Sequence, residues 1–519
     1  MFVTFPDPTL YFINCQKRLL YYADKSVIMM QINIRLWEVI MSIYNLGKNR
    51  MLCWDEFLID KIDGAEIRMH KPVRREKVIT MDKCWEGNVC GYPSIIKLGD
   101  TYRMYYRAQN INVKSDGTYE INKGGFGVAE SKDLKEFKRL PINKYERDGE
   151  YDNNIFLNEM RDNFSIFYDK NPACPEKEKF KALSMGARKE IYGKGLYLYV
   201  SADGLDFTLK EKLPIPGTFD SYNVMMWDEE AELYRFFYRS EAGFEEMQKW
   251  RGIFRTINTS TSKDLVTFEH HGELNYGEDN IPMQLYTNNI VRYSRARDMF
   301  IGFPARYIDR KDHAENFEQM PLAERHKFMT EKHGREGTAV TDCAIITSRD
   351  GYNFKKWDEA YLTPGIEASC NWWYGNCYMA YGIFETPAAE EGAPNEISMI
   401  IPDNYYRIKP IDYYRYTTRL DGFFSWYAKY RGGEILTKPF TFEGSELEIN
   451  FSSSAFGDIT VTVCDENGNE LEGYKSIKIF GDSTSRKVRF EKDLKLLENK
   501  PIRLKFELRD CDLYSFKFN

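Results

Sequence analysis

Carboxylates, amides and guanidinium groups recur at matching places along this 519-residue chain. Glu86 with Asn88, Glu159, Asp162 with Asn163, Asp220 with Asn223, Asn288 with Asn289, and Glu367 with Asn371 stand just ahead of, or at, the start of a β-like run. Arg107, Arg239 and, one residue displaced, Arg306 close the run that follows, with Arg188 a looser equivalent. Two carboxylates facing each other across a polar pocket suit cleavage of a glycosidic bond. One protonates the leaving oxygen while the other attacks the anomeric carbon or activates water. Neighbouring charges would push their pKa values apart. An amide offers a sugar hydroxyl both a donor and an acceptor. Guanidinium groups around one axis favour a carboxylate or phosphate, hence an anionic sugar such as a uronate, or inorganic phosphate as co-substrate. Simple pairing of each Arg with a nearby carboxylate is the bland alternative.

The elements that must position these groups are marked by a repeat, Ser-x-Asp-[Leu/Gly]-x-x-Phe. It starts at Ser131, Ser201, Ser262 and Ser348, with a degenerate fifth copy centred on Asp421. Recurrence at roughly 60 to 90 residues is the mark of a repeated supersecondary unit with loops of unequal length. Each copy follows the third of three β-like runs. In the first unit these are YPSIIKL and TYRMYYRA, joined at Gly99-Asp100, and then FGVAES. The expected architecture is all-β: a five-bladed β-propeller over 51–430, its last blade completed by a lead-in strand within 51–84. Residues 431–519 alternate apolar and polar with turns such as Glu-Asn-Gly-Asn, and read as an antiparallel β-sandwich. That domain would be a carbohydrate-binding accessory or a structural buttress. Strand direction puts the repeated aspartates at the opposite end of each blade from Glu86, Asp162 and Asp220. They are read as turn-formers.

Composition removes several classes of function. The net charge of −7 comes without a basic stripe interleaved with aromatics, which argues against nucleic acid. Ten cysteines lie scattered without a Cys-x-x-Cys pair, and are read as mostly free buried thiols. The most apolar stretch, Val27 to Leu46, is interrupted by Gln31, Asn33, Arg35 and Glu38. It falls short of the roughly 20 apolar residues a bilayer span needs. With no secretory leader pattern, a cytoplasmic location is expected. Residues 1–50 lack the repeat and are expected to be an extension, or to lie upstream of a functional start at Met51. No cofactor is expected. The polar insertion from Tyr307 to Asp342 holds His313, His326 and His333, whose spacing does not suit one helical face for a metal. It is expected to be a lid or an oligomer contact.

The stretch WEGNVCGYPSIIKLGDTYRMYYRA, the Ser-x-Asp copies, FDSYNVMMWD and the C-terminal run together resemble the five-bladed propeller glycosidases. That superfamily includes fructofuranosidases, arabinanases, xylosidases and mannoside phosphorylases. The chain is most similar to a bacterial group described loosely as glycosyl hydrolases, over roughly 51–519. The resemblance implies three acidic residues on the first three blades, here Glu86, Asp162 and Asp220. The family's usual order is Asp, Asp, Glu, and the fructofuranosidase motifs are absent. The expected activity is hydrolysis of a glycoside, with Asp220 and Glu86 as the working pair and Asp162 tuning them. Asn88, Arg107, Asn163, Asn223, Arg239, Asn288, Arg306 and Asn371 would bind substrate. A phosphorylase and a non-catalytic glycan-binding propeller are the alternatives.

Overall fold

The structure, a computed structural model, describes residues 43–519 apart from 123, 148, 160–161, 186–194, 242–253, 278–280, 369–370, 404 and 407–408. At 162 and 312–314 it describes the backbone alone. Among the described residues the protein is all-β except for the helices of one insertion and two short 3-10 helices, Glu176–Glu178 and Leu494–Leu497, and it divides into two compact units.

The larger unit comprises Leu52–Trp54 and Ile67–Trp426. Its strands follow one another as antiparallel meanders. Ser94–Leu98, Thr101–Ala108, Gly125–Ser131 and Lys138–Arg139 form the first sheet, with Ile155–Leu157 added beside the third strand. Asp162–Tyr168, Phe180–Met185, Leu196–Ser201 and Thr208–Leu213 form the second. Val224–Asp228, Leu233–Glu241, Arg255–Ser262 and Glu269–Glu273 form the third. The fourth is split after Gly302. Val291–Arg292, Phe300–Gly302, Ile346–Ser348 and Lys355–Lys356 pair on one side, and Gln284–Leu285, Ala305–Asp309 and Ala339–Cys343 on the other. In the fifth, Phe384–Thr386, Glu396–Asp403 and Asp412–Arg419 are closed by Val73–Thr80, from the beginning of the unit. That pairing covers the outer edge of Asp412–Arg419 with a strand from far earlier in the chain. Apolar side chains such as Phe126, Phe164 and Tyr199 fill the space between successive sheets.

The Ser-x-Asp copies are turns held by their own side chains. Each serine Oγ accepts the N–H three residues on, from Leu134, Gly204, Leu265 and Gly351 at 2.9–3.0 Å. Each aspartate Oδ1 accepts the N–H two residues on, at 2.8–2.9 Å. The residue after the aspartate sits at φ +64 to +78, the left-handed region that glycine enters freely. Leu134 and Leu265 adopt it too, and both are buried, so packing offsets the strain. The fifth copy differs: Asp421 is itself left-handed, and its buried Oδ1 accepts Tyr293 Oη at 2.9 Å and Arg295 Nε at 2.8 Å.

The 307–342 insertion folds as a 3-10 helix, Lys311–Gln319, and two α-helices, Ala323–His333 and Arg335–Thr338. His326 and Met329 face inward from the longer helix, and Gly334 at φ +59 ends it. His326 packs 3.7 Å from Trp373, while His333 stacks on Tyr119. No group of metal-ligating side chains occurs among the described residues.

The smaller unit contains Asp55–Glu66, Tyr427–Asn519 and the described residues up to Met51. Two long antiparallel strands, Leu447–Cys464 and Arg503–Phe518, run through it, flanked by Glu470–Lys475, Asp482–Val488 and Gly433–Thr437. Their register breaks between Ser453 and Asp458, where a Cβ on Gly457 would lie 2.3 Å from the Asp510 carbonyl oxygen. The expected Glu-Asn-Gly-Asn turn is present, with Asp465 Oδ1 accepting the N–H groups of Asn467 and Asn469. Tyr44–Gly47 pairs in parallel with Phe440–Phe442, and Leu46 is fully buried. Residues 43–50 thus pack within this unit, and the rest of the expected extension, 1–42, lies outside the described residues.

Candidate active site

A cavity of ≈ 220 Å³ lies where several sheets of the larger unit present the same end of their strands. Asn163 reaches it from the start of a first strand, Arg107 from the end of a second, and Arg255 from the start of a third. Asp220 comes from the loop ahead of Val224, and Arg335 and Glu336 from the short helix of the insertion. Tyr92, Tyr286, Tyr307, Tyr374, Tyr405 and Tyr406 wall it. Arg255 and Ser262 are opposite ends of one strand, so the Ser-x-Asp turns stand away from this cavity.

Two residues that line the cavity have strained backbones: Tyr92 and Asn163, at φ +54 and +53, each two residues ahead of a first-strand residue, Ser94 and Ser165. Non-glycine residues there cost about 1 kcal/mol or more, less for Asn, and such strain gathers at functional sites. The turn aims Asn163 at the cavity. Its Oδ1 is buried with no hydrogen-bond donor among the described residues, on a residue 6 % exposed.

The charges are unevenly neutralised. Arg107 donates through Nε to the Val89 carbonyl at 3.0 Å and through Nη2 to Tyr405 Oη at 2.7 Å. Arg255, 3 % exposed, donates through Nη1 to Gln284 Oε1 at 2.7 Å, while its Nε has no acceptor among the described residues. Its guanidinium carbon lies 4.3 Å from the Tyr307 ring centroid, and that of Arg335 lies 5.9 Å from the same centroid. Glu336 Oε2 accepts Tyr119 Oη at 2.9 Å and Tyr406 Oη at 3.1 Å. Asp220 is exposed, and its carboxylate takes no hydrogen bond among the described residues. Burial, reinforced by neighbouring phenols, drives Tyr92 and Tyr374 well above the ordinary phenol range, so both stay neutral donors.

Of the expected site residues, Arg107, Asn163 and Asp220 line this cavity together. The others lie elsewhere. Glu86 is buried, with Oε1 accepting Tyr106 Oη at 2.5 Å and Arg139 Nε at 2.9 Å, and Oε2 accepting Arg139 Nη2 at 2.6 Å. Asn88 pins the backbone of Ile111 through both ends of its amide. Asn223 holds the Phe219 and Ser221 carbonyls and the Arg239 N–H. Arg239 lies behind Asp220, donating to its backbone carbonyl at 3.2 Å, and burial pulls its guanidinium below the usual range. Asn288 bonds the Tyr222 and Phe237 carbonyls, and Asn371 bonds those of Pro364 and Ile366. Arg306 closes a two-pronged pair on Asp342 at 2.7 and 2.6 Å, on the wall of a second, largely apolar cavity of ≈ 1290 Å³ that shares Tyr307. The side chain of Asp162 and all of Arg188 lie outside the described residues.

Arg255, Arg335, Glu336 and the tyrosine wall were not singled out from sequence. Strand polarity held the signal for Arg255, because a third strand that ends in a Ser-x-Asp turn must begin at the opposite face.

No family model and no curated protein matches the chain. Solved structures similar to it include one described as a glycoside hydrolase, with TM-score 0.40, 12% identity, 67% of this chain covered and 92% of that one. Another represents the GH130 family of mannoside phosphorylases, which contains glycoside hydrolases that target beta-1,2 mannosidic linkages in Candida mannan, at TM-score 0.36, 11% identity, 71% and 96% covered. A third is the Bombyx mori GH32 beta-fructofuranosidase, at TM-score 0.36, 10% identity, 87% and 94% covered. Their descriptions name glycoside hydrolases, mannoside phosphorylases and a fructofuranosidase, classes that the sequence resemblance also names.

Proposed function

We propose that the larger unit is a five-bladed β-propeller whose axial cavity hydrolyses a glycosidic bond, with the smaller unit as an accessory β-sandwich. The observation that carries this reading is the meeting of two carboxylates, Asp220 and Glu336, with the open amide of Asn163 inside a tyrosine-walled pocket. Asp220, free of hydrogen bonds among the described residues, is available to act as base or nucleophile. Glu336, held by two phenols, is placed to exchange a proton with the leaving oxygen. Aromatic walls stack on sugar rings, and Asn163 and Arg107 orient hydroxyls. Glu86 acts on the site only through Arg139 and the fold around it, and Asp162 tunes charge from the start of the second sheet. The 307–342 insertion serves as a lid, since its Glu336 and His333 meet Tyr119 of the 108–124 hairpin.

The test is a screen of oligosaccharides with and without phosphate, using the unaltered protein beside Asp220→Asn and Glu336→Gln. Full turnover by both variants on an identified substrate would sink the assignment. Cleavage only with phosphate and release of a sugar phosphate would make the protein a phosphorylase. Binding without turnover across the panel would make it a glycan-binding propeller.

A further inference from the structure

We infer that the axial pocket recognises a sugar acid: Arg255 and Arg335 hold the carboxylate of a uronate while Asn163 and Asp220 take its hydroxyls. The inference rests on the reading of this cavity as a glycan site and names the class of sugar it takes.

The charge pattern points there first. Arg107, Arg255 and Arg335 line the cavity, against Asp220 and Glu336 among the described residues, in a protein whose net charge is −7. Arg255 is buried to 3 % exposure, bonded to the neutral Gln284, and among the described residues it has no carboxylate partner and its Nε no acceptor. A buried cation left unpaired is costly, so a site that keeps one is built for an anion supplied from outside. Arg335 shows no ion pair among the described residues and faces the same Tyr307 ring. Two guanidinium groups beside one phenol ring offer several N–H donors to a single carboxylate. Arg306, by contrast, is already neutralised by Asp342 and has no such vacancy.

The acceptors decide what else the ligand must carry. Asn163 Oδ1 is buried and without a donor, and the Asp220 carboxylate takes no hydrogen bond among the described residues. Inorganic phosphate as its dianion has a single P–OH for two acceptors, and its two negative charges are repelled by Asp220 more strongly than the single charge of a uronate. A hydroxylated ring bearing one carboxylate satisfies both the cations and the acceptors.

Titration calorimetry of the full chain separates the outcomes. The probes are uronate di- and trisaccharides, the same compounds with their carboxyl groups reduced to alcohols, and inorganic phosphate. The expected result is binding of at least one uronate compound, at least tenfold weaker binding of its reduced form, and at least tenfold loss in Arg255→Gln and in Arg335→Gln. Arg335 is exposed, so its variant keeps the test valid if Arg255→Gln fails to fold. Equal affinity for charged and reduced forms, no uronate binding, or tight phosphate binding that the arginine variants abolish while uronates are ignored, would each overturn the inference. Turnover of neutral glycosides without uronate binding removes this inference and leaves the hydrolase reading. Uronate binding without turnover does the reverse.

Discussion

Glu86 and Arg139 close on each other as a two-pronged pair, Nε 2.9 Å from Oε1 and Nη2 2.6 Å from Oε2, with the glutamate side chain fully buried. Tyr106 donates to the same Oε1, and Arg139 also donates to the Thr80 carbonyl. The pair joins the first sheet to the segment that leaves the closing strand of the fifth. Removing one member strands the other. Glu86→Gln should therefore cost about 3 kcal/mol of stability, read by urea denaturation, while turnover well below the unfolding temperature stays within a few-fold. Unchanged stability with collapsed turnover would return Glu86 to the chemistry.

Asp220 and Glu336 should behave in the opposite way. Both contact solvent or neutral phenols, so Asp220→Asn and Glu336→Gln should leave the melting temperature nearly unchanged. Each should lower kcat on an identified glycoside by about 10²-fold or more. A loss confined to KM would mean that they bind substrate and transition state alike.

The Ser-x-Asp turns should make the fold acid-sensitive. Burial pushes the Asp203 and Asp350 carboxyls up, but N–H donors of their own turns and the serine hydroxyls outweigh it and hold both below the usual range. A depressed folded-state pKa gives stability that is present above the unfolded value of about 3.9 and lost as pH falls through the lower folded value. Asp203→Asn with Asp350→Asn should flatten the fall of urea-denaturation stability below about pH 4 without altering turnover at neutral pH. An unchanged slope would refute the linkage.

Lys356 should titrate near neutrality. Burial draws its amine down to about 8, although Asp358 and Glu273 oppose the shift, and it donates to the Ile281 carbonyl. A lysine with a lowered folded-state pKa costs stability below that value and is relieved as pH rises from it toward about 10.4. Reductive ¹³C-methylation should give one dimethyl-lysine resonance, lost in Lys356→Met, moving with a midpoint near 8. Titration of that resonance with the surface lysines would contradict the burial account.

What the sequence determined by itself was local or periodic. The Ser-x-Asp turns were legible because each closes between a side chain and an N–H two or three residues away. Alternation of apolar residues and hairpin turns likewise marked the strands, including Val73–Thr80, which completes the fifth sheet. The direction of each strand, counted from those turns, fixes which end carries Arg107, Asn163 and Asp220. Tertiary structure alone decided which charges are spent. Glu86 meets Arg139 and Arg306 meets Asp342, pairs that local spacing cannot announce because backbone folding brings them together. Arg255 stays unpaired among the described residues for the same reason, and Glu336 arrives on an insertion whose landing place no periodicity encodes. Residue type sets the chemistry a side chain can do, and its neighbours across the fold decide whether it is free to do it.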